Sequence, residues 1–113
     1  MLVLEDRFIL TSPRYPNDYT NKLDCTTHIR SSNGGLAMLQ FLDVVLEENY
    51  DFLTIGYGKN VTDAALVMKI SGSMSLTTVV IDANDVWMSF KTDMSTVKRG
   101  FAVSIEWIPG GKI

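Results

Sequence analysis

Turn-forming clusters recur about every ten residues along this chain, and that spacing confines it to an architecture of short strands. The clusters are Ser12-Pro13, Pro16-Asn17-Asp18, Ser32-Asn33-Gly34-Gly35, Gly58-Lys59-Asn60, Ser71-Gly72-Ser73, Asp82-Ala83-Asn84-Asp85 and Pro109-Gly110-Gly111. Between them the hydrophobic pattern has a period of two. Phe101, Val103, Ile105 and Trp107 alternate with Ala102, Ser104 and Glu106, which marks a half-buried strand. Val86, Met88 and Phe90 alternate with Trp87, Ser89 and Lys91, and Asp51, Leu53, Ile55 and Tyr57 with Phe52, Thr54 and Gly56. Residues 36–42 are apolar on both faces except at Gln40, as in a central strand. Residues 23–30 and 76–81 read as further strands, and 8–11 as a weaker one. No stretch of ten residues keeps a 3.6-residue period. Two packed antiparallel sheets are the natural way to bury so many alternating faces, so the expected fold is an all-β sandwich.

The chain has 113 residues, a length that suits one compact domain over 1–113. It is 46% hydrophobic and carries a formal net charge of −3. An acidic chain without a basic stripe is a poor partner for nucleic acid, where cations must displace counterions from phosphates. No apolar run approaches the roughly 20 residues of a membrane span. Met1 leads directly into fold-like sequence without a visible signal peptide. That leaves two settings open: the cytosol, or a fragment of a longer secreted chain. Cys25 is the single cysteine, so no internal disulfide forms, and that by itself leans toward a reducing compartment.

The residues argue against catalysis. The lone His28 and Cys25 lie three apart in one expected strand, where they do not set a base and an orienting acid around a nucleophile. His28 reads as a half-buried strand residue. Cys25 has no neighbouring cation to lower its pKa, and reads as a small buried hydrophobe or half of a lost disulfide. No Gly-x-Ser-x-Gly turn, Cys/His metal spacing or glycine-rich phosphate loop is present.

The acidic residues say more. No Lys or Arg occurs between residues 31 and 58, while Asp43, Glu47, Glu48 and Asp51 fall there. Glu47, Glu48 and Asp51 crowd one loop, Leu46-Glu47-Glu48-Asn49-Tyr50-Asp51. Charges so close repel unless water solvates them or a cation bridges them, and loop oxygens suit Ca2+. Spacing alone leaves the solvated loop and the cation site both open. Asn60-Val61-Thr62 is an N-glycosylation sequon at Asn60.

Six motifs then fall in order along the chain. Ser12-Pro13-Arg14-Tyr15-Pro16-Asn17-Asp18-Tyr19 resembles the "SPNYPNPYP" opening of CUB domains, and Asn21-Lys22-Leu23-Asp24-Cys25 the "NxxC" run that follows. Phe41-Leu42-Asp43-Val44-Val45-Leu46-Glu47 is similar to "FxxFDLE", and Tyr50-Asp51-Phe52-Leu53-Thr54-Ile55 to "YDYLxI". Residues 66–72 stand where "LLGRFCG" would be. Phe90-Lys91-Thr92-Asp93-Met94-Ser95 with Gly100-Phe101 is similar to "FxSDxS…GF".

The resemblance implies a jelly-roll-like sandwich in a secreted protein or a membrane-protein ectodomain. It also implies a protein-binding role toward a partner or a neighbouring domain. In the calcium-binding subset of the family, the ligands carry over to Glu47, Asp51, Asp93 and the Ser95 carbonyl, with Tyr19 hydrogen-bonding within the site. A ligand carboxylate such as Glu47 or Asp93 then meets a Lys or Arg of the partner. Departures from the pattern are the missing second cysteine pair, which maps near Glu48 and Ser71, the shortened loop from Glu47 to Asp51, and Thr27 in place of the usual Trp. Two alternatives remain: a metal-free structural or oligomerising spacer, and a carbohydrate-binding sandwich with Trp87, Tyr57 or Tyr15 as stacking platforms.

Overall fold

The computed structural model of the chain describes residues 2–4, 7–31, 36–62 and 65–108. The turn expected at 32–35 and the one expected at 109–111 lie outside them. Among the described residues ten strands form: β1 Leu2–Leu4, β2 Phe8–Thr11, β3 Asp24–Ser31, β4 Leu36–Val45, β5 Phe52–Tyr57, β6 Leu66–Ile70, β7 Ser73–Met74, β8 Thr77–Ile81, β9 Asp85–Lys91 and β10 Gly100–Ile108. One sheet runs β1-β3-β9-β5-β6. The other runs β2-β10-β4-β7, with β8 also pairing β4. Every pairing is antiparallel except β1 with β3, which is parallel. The two-sheet sandwich expected from alternation is therefore present, with one parallel edge that alternation does not specify.

The core lies between the sheets. Ile29, Leu53, Ile55, Val86, Met88 and Phe90 from the first sheet meet Leu39, Phe41, Phe101, Val103 and Ile105 from the second. Fully burying a side chain such as Phe41 contributes about 1.5–3 kcal/mol relative to leaving it in water. The alternation of β4 slips by one residue part-way along. Ala37, Leu39 and Phe41 face inward, and then Val44 and Leu46 do. The slip is a β-bulge: Val103 pairs Phe41 while the adjacent Ala102 pairs Asp43. The extra residue, Leu42, is 37% exposed. The bulge rotates the strand and delivers Asp43 to an outer position.

Two expectations about single residues are corrected. Cys25 is exposed rather than buried. Trp87 belongs to the outward set of β9, yet it is only 2% exposed. Val61, Thr62 and Leu66 share a cleft with it, and the indole Nε1 donates to the Tyr57 carbonyl at 3.2 Å. Gly56 permits this packing, since a Cβ there would stand 2.0 Å from Trp87 Cζ2. A buried ring cannot serve as a stacking platform. Tyr15 is half-buried, its hydroxyl donating to Asp43 Oδ2 at 2.7 Å.

Strand register gathers three loops at one pole. Lys91 pairs both Asp24 and Phe52, and Gly100 pairs Val45. The loops β2–β3, β4–β5 and β9–β10 therefore emerge side by side. Ser12 closes that pole: its Oγ accepts the Phe101 amide at 3.0 Å, and its own amide donates to the Phe101 carbonyl at 3.0 Å. Gly100, at φ +93, leaves the room, because a Cβ would lie 1.9 Å from Ser12 Oγ.

Candidate metal centre

The β4–β5 loop is a tight turn in which the amides of Tyr50 and Asp51 both point to the Glu47 carbonyl, at 3.3 and 3.0 Å. Its closing residue, Asp51, is fully buried. A carboxylate buried there must be satisfied by donors, and two are supplied. The Tyr19 hydroxyl donates to Oδ2, and the Asp93 amide donates to Oδ1 at 2.9 Å. Tyr19 Oη also accepts the Glu47 amide at 3.2 Å. Tyr19 is thus held from both sides, and burial followed by the Asp51 hydrogen bond raises its hydroxyl pKa well above the ordinary value. Its ring stands edge-on to Phe90 at 5.0 Å between centroids, and Phe90 edge-on to Phe101 at 5.1 Å. The aromatic chain anchors the loop residue to the core.

The structure brings Glu47, Asp51 and Asp93 together, with one carboxylate oxygen from each within 4.8 Å of the other two. None of the three forms an ion pair among the described residues, where the ion pairs are Arg30–Asp85 and Arg99–Asp43. Glu47 Oε1 is buried without a hydrogen-bond partner. Desolvation, then the Asp93 and Asp51 carboxylates, push the Glu47 carboxyl above its usual range, and Thr96 pulls it part of the way back. Ser95 is exposed on the β9–β10 loop, its amide donating to Asp93 Oδ1 at 3.2 Å. Of the expected set, the three acids and Tyr19 converge, and Ser95 lies on the same loop as Asp93. Asn60 is exposed, as is Thr62.

The donor set fits a hard cation. It is all oxygen, contributed by separate loops, and it contains an orphaned buried carboxylate oxygen beside two further acids. Both oxygens of Asp51 keep a lone pair beyond the hydrogen bonds they accept.

Two residues support the site in ways that the sequence reading did not specify. Ser71 ties the β4–β5 loop to the end of β6, its Oγ accepting the Asn49 amide at 2.6 Å and donating to the Glu47 carbonyl at 3.3 Å. This is where the resemblance maps a second disulfide. A hydroxyl bridge occupies the position, with Gly72 packed against Glu48. Thr96 adopts φ 64, a conformation that is costly for a β-branched residue.

The comparisons agree with this architecture. The CUB domain family model matches residues 3 to 105. The chain belongs to the CUB domain family. Human cubilin is 34% identical over 106 residues, which is 87% of this chain and 3% of that protein. Among solved structures, the full extracellular region of zebrafish Gpr126/Adgrg6 is similar with a TM-score of 0.81 and 28% identity, over 96% of this chain and 14% of that one. The MASP-1 CUB2 domain crystallised bound to Ca2+ is similar with a TM-score of 0.77 and 25% identity, over 93% and 96%. This CUB module therefore spans a small fraction of the longer proteins it resembles. The expected extracellular setting fits these relatives and displaces the cytosolic reading of the single cysteine. Among the described residues no helix is long and apolar enough to cross a membrane.

Proposed function

We propose that this CUB module is a non-catalytic extracellular protein-binding unit whose binding pole is organised by Ca2+. Glu47, Asp51, Asp93 and the Ser95 carbonyl would hold the ion, and Tyr19 would orient Asp51. The observation that carries this reading is the convergence of three carboxylates from two loops, without a cationic side chain among the described residues to neutralise them. When bound, the ion supplies the charge that cancels their repulsion and fixes the loops. Glu47 and Asp93 are half-buried, so each can ligate with one oxygen and offer the other to a Lys or Arg of a partner. A carboxylate held in this way accepts a charge-assisted hydrogen bond without first having to be ordered.

Calorimetric titration of the chain with CaCl2 tests the reading. One site is expected, with a dissociation constant on the order of 10⁻⁴–10⁻³ M, and Asp93→Asn is expected to abolish it. Absence of heat and of any thermal shift in millimolar Ca2+ would remove the ion. One observation favours the metal-free spacer instead: the Tyr19 hydroxyl and the Asp93 amide already satisfy Asp51. In that case Asp93→Asn leaves both stability and partner binding unchanged.

A further inference from the structure

We propose that the outer face of the β9–β5–β6 part of the first sheet carries a binding cleft for an acidic saccharide, a sugar ring bearing a carboxylate or sulfate. The cleft has a volume of about 430 Å³, and its lining includes Phe52, Thr54, Leu66, Lys69, Ser89 and Lys91. Ligand sites typically fall between roughly 300 and 1,000 Å³.

The charge of the lining is the first indication of its occupant. In a chain of net charge −3, the described residues that line this cleft include two lysines and no carboxylate. The two cations bracket one aromatic ring. Lys69 Nζ lies 4.3 Å from the Phe52 ring centroid, and Lys91 is the cross-strand partner of Phe52 on the other side. Neither lysine forms an ion pair among the described residues. Asp24 also pairs Lys91 in the ladder but makes no ion pair with it. Two ammonium groups flanking one position, without an ion-pair partner among the described residues, attract an anionic group to it.

The hydroxyls indicate the rest of the ligand. Thr26, Ser89, Thr54 and Lys69 form one row across β3, β9, β5 and β6. Ser89 is only 4% exposed. Its Oγ meets just one side chain, Thr26 Oγ1 at a loose 3.5 Å, so its hydroxyl retains unused hydrogen-bonding capacity at the cleft. Thr54 spends its proton on the Ser89 carbonyl at 3.2 Å and keeps its lone pairs for a donor. Val61 and Leu66, at 48% and 39% exposed, supply an apolar wall for the carbon face of a ring.

An acidic peptide is the weaker fit. The backbone groups of β9 and β5 are engaged in the ladders on both sides of each strand. A peptide main chain lying on this face would therefore find no backbone partner. Sugar hydroxyls, by contrast, pair with side-chain hydroxyls. No member of the acid cluster lines the cleft, although Phe52 and Lys91 stand at the strand ends that lead to Asp51 and Asp93.

The test is a titration of the whole chain with a chondroitin sulfate tetrasaccharide in EDTA, read by the Trp87 indole N–H resonance, with Trp107 as internal control. EDTA separates this result from the calcium reading. A saturable shift of Trp87 alone is expected. Lys69→Gln with Lys91→Gln, both exposed positions, is expected to weaken binding at least tenfold, while Arg14→Gln on the β2–β3 loop leaves it unchanged. Uncharged tetra-N-acetylchitotetraose at the same concentration is expected to produce no shift. An unmoved Trp87 signal, or a double variant that binds as the parent does, would overturn the proposal. Tetraglutamate binding as tightly as the saccharide would overturn it in favour of an acidic peptide.

Discussion

The Tyr19 hydroxyl donates to the buried Asp51 carboxylate across 32 positions of sequence, and the same oxygen accepts the Glu47 amide. One phenol therefore couples the opening loop to both ends of the β4–β5 turn. Tyr19→Phe keeps the ring packing on Phe90 and removes only the oxygen, leaving Asp51 with one donor. A stability loss of about 1–3 kcal/mol is expected, measured by urea unfolding in EDTA, together with weaker Ca2+ binding in the calorimeter.

Calcium is expected to stabilise the module by mass action. With a dissociation constant of about 10⁻⁴–10⁻³ M, 10 mM Ca2+ exceeds it roughly 10- to 100-fold, which corresponds to about 1.4–2.7 kcal/mol. Differential scanning calorimetry reads this as a rise in Tm that EDTA reverses. Asp93→Asn retains the fold and loses the rise. An equal rise in the variant would locate the ion elsewhere.

Acid has opposite consequences at two carboxyls. The Glu47 carboxyl is raised in the folded protein, chiefly by desolvation. Its favourable contribution is fully present below the ordinary value of 4.5 and is lost as pH rises through the raised value. Without calcium, the cluster is thus relieved by acidification. With calcium, protons compete for the same oxygens, so affinity falls over that window. Glu47→Gln is expected to flatten both dependences in titrations at stepped pH.

Asp43 behaves the other way. The Arg99 guanidinium, bonded to both its oxygens at 2.7 and 2.8 Å, holds its carboxyl below the usual range, and the Tyr15 hydroxyl assists. Its contribution is present above the ordinary 3.8 and is lost as pH falls through the depressed value. Asp43→Asn is expected to remove that part of the acid transition and to leave Ca2+ binding unchanged.

Gly56 sets the seat of Trp87. Adding a methyl group 2.0 Å from Cζ2 forces the indole or the strand to move, and such overpacking costs about 1–3 kcal/mol. Gly56→Ala is expected to lower Tm and to shift Trp87 fluorescence to the red as the ring gains water. Unchanged emission would mean that the strand, rather than the ring, gives way.

Much of this was legible in the chain itself. Alternation marked the inward faces of β5, β9 and β10, because a pleated strand sends successive side chains to opposite sides whatever its neighbours are. The order of six short motifs pointed to the family, and through it to Glu47, Asp51 and Asp93. Tertiary structure decided what alternation leaves open. The parallel edge of β1 on β3 depends on where a three-residue strand docks, which its composition does not encode. Trp87 and Ser89 carry an outward phase but are buried, because coverage of a face depends on neighbours that alternation does not specify. Ser71 and Thr96 support the acid loop through contacts that no local spacing announces. The sequence determined which oxygens were available to a cation. Only the folded register of the loops at one pole brought one oxygen from each acid within 4.8 Å of the other two, since distance in space between residues 47, 51 and 93 is a property of strand pairing and not of chain order.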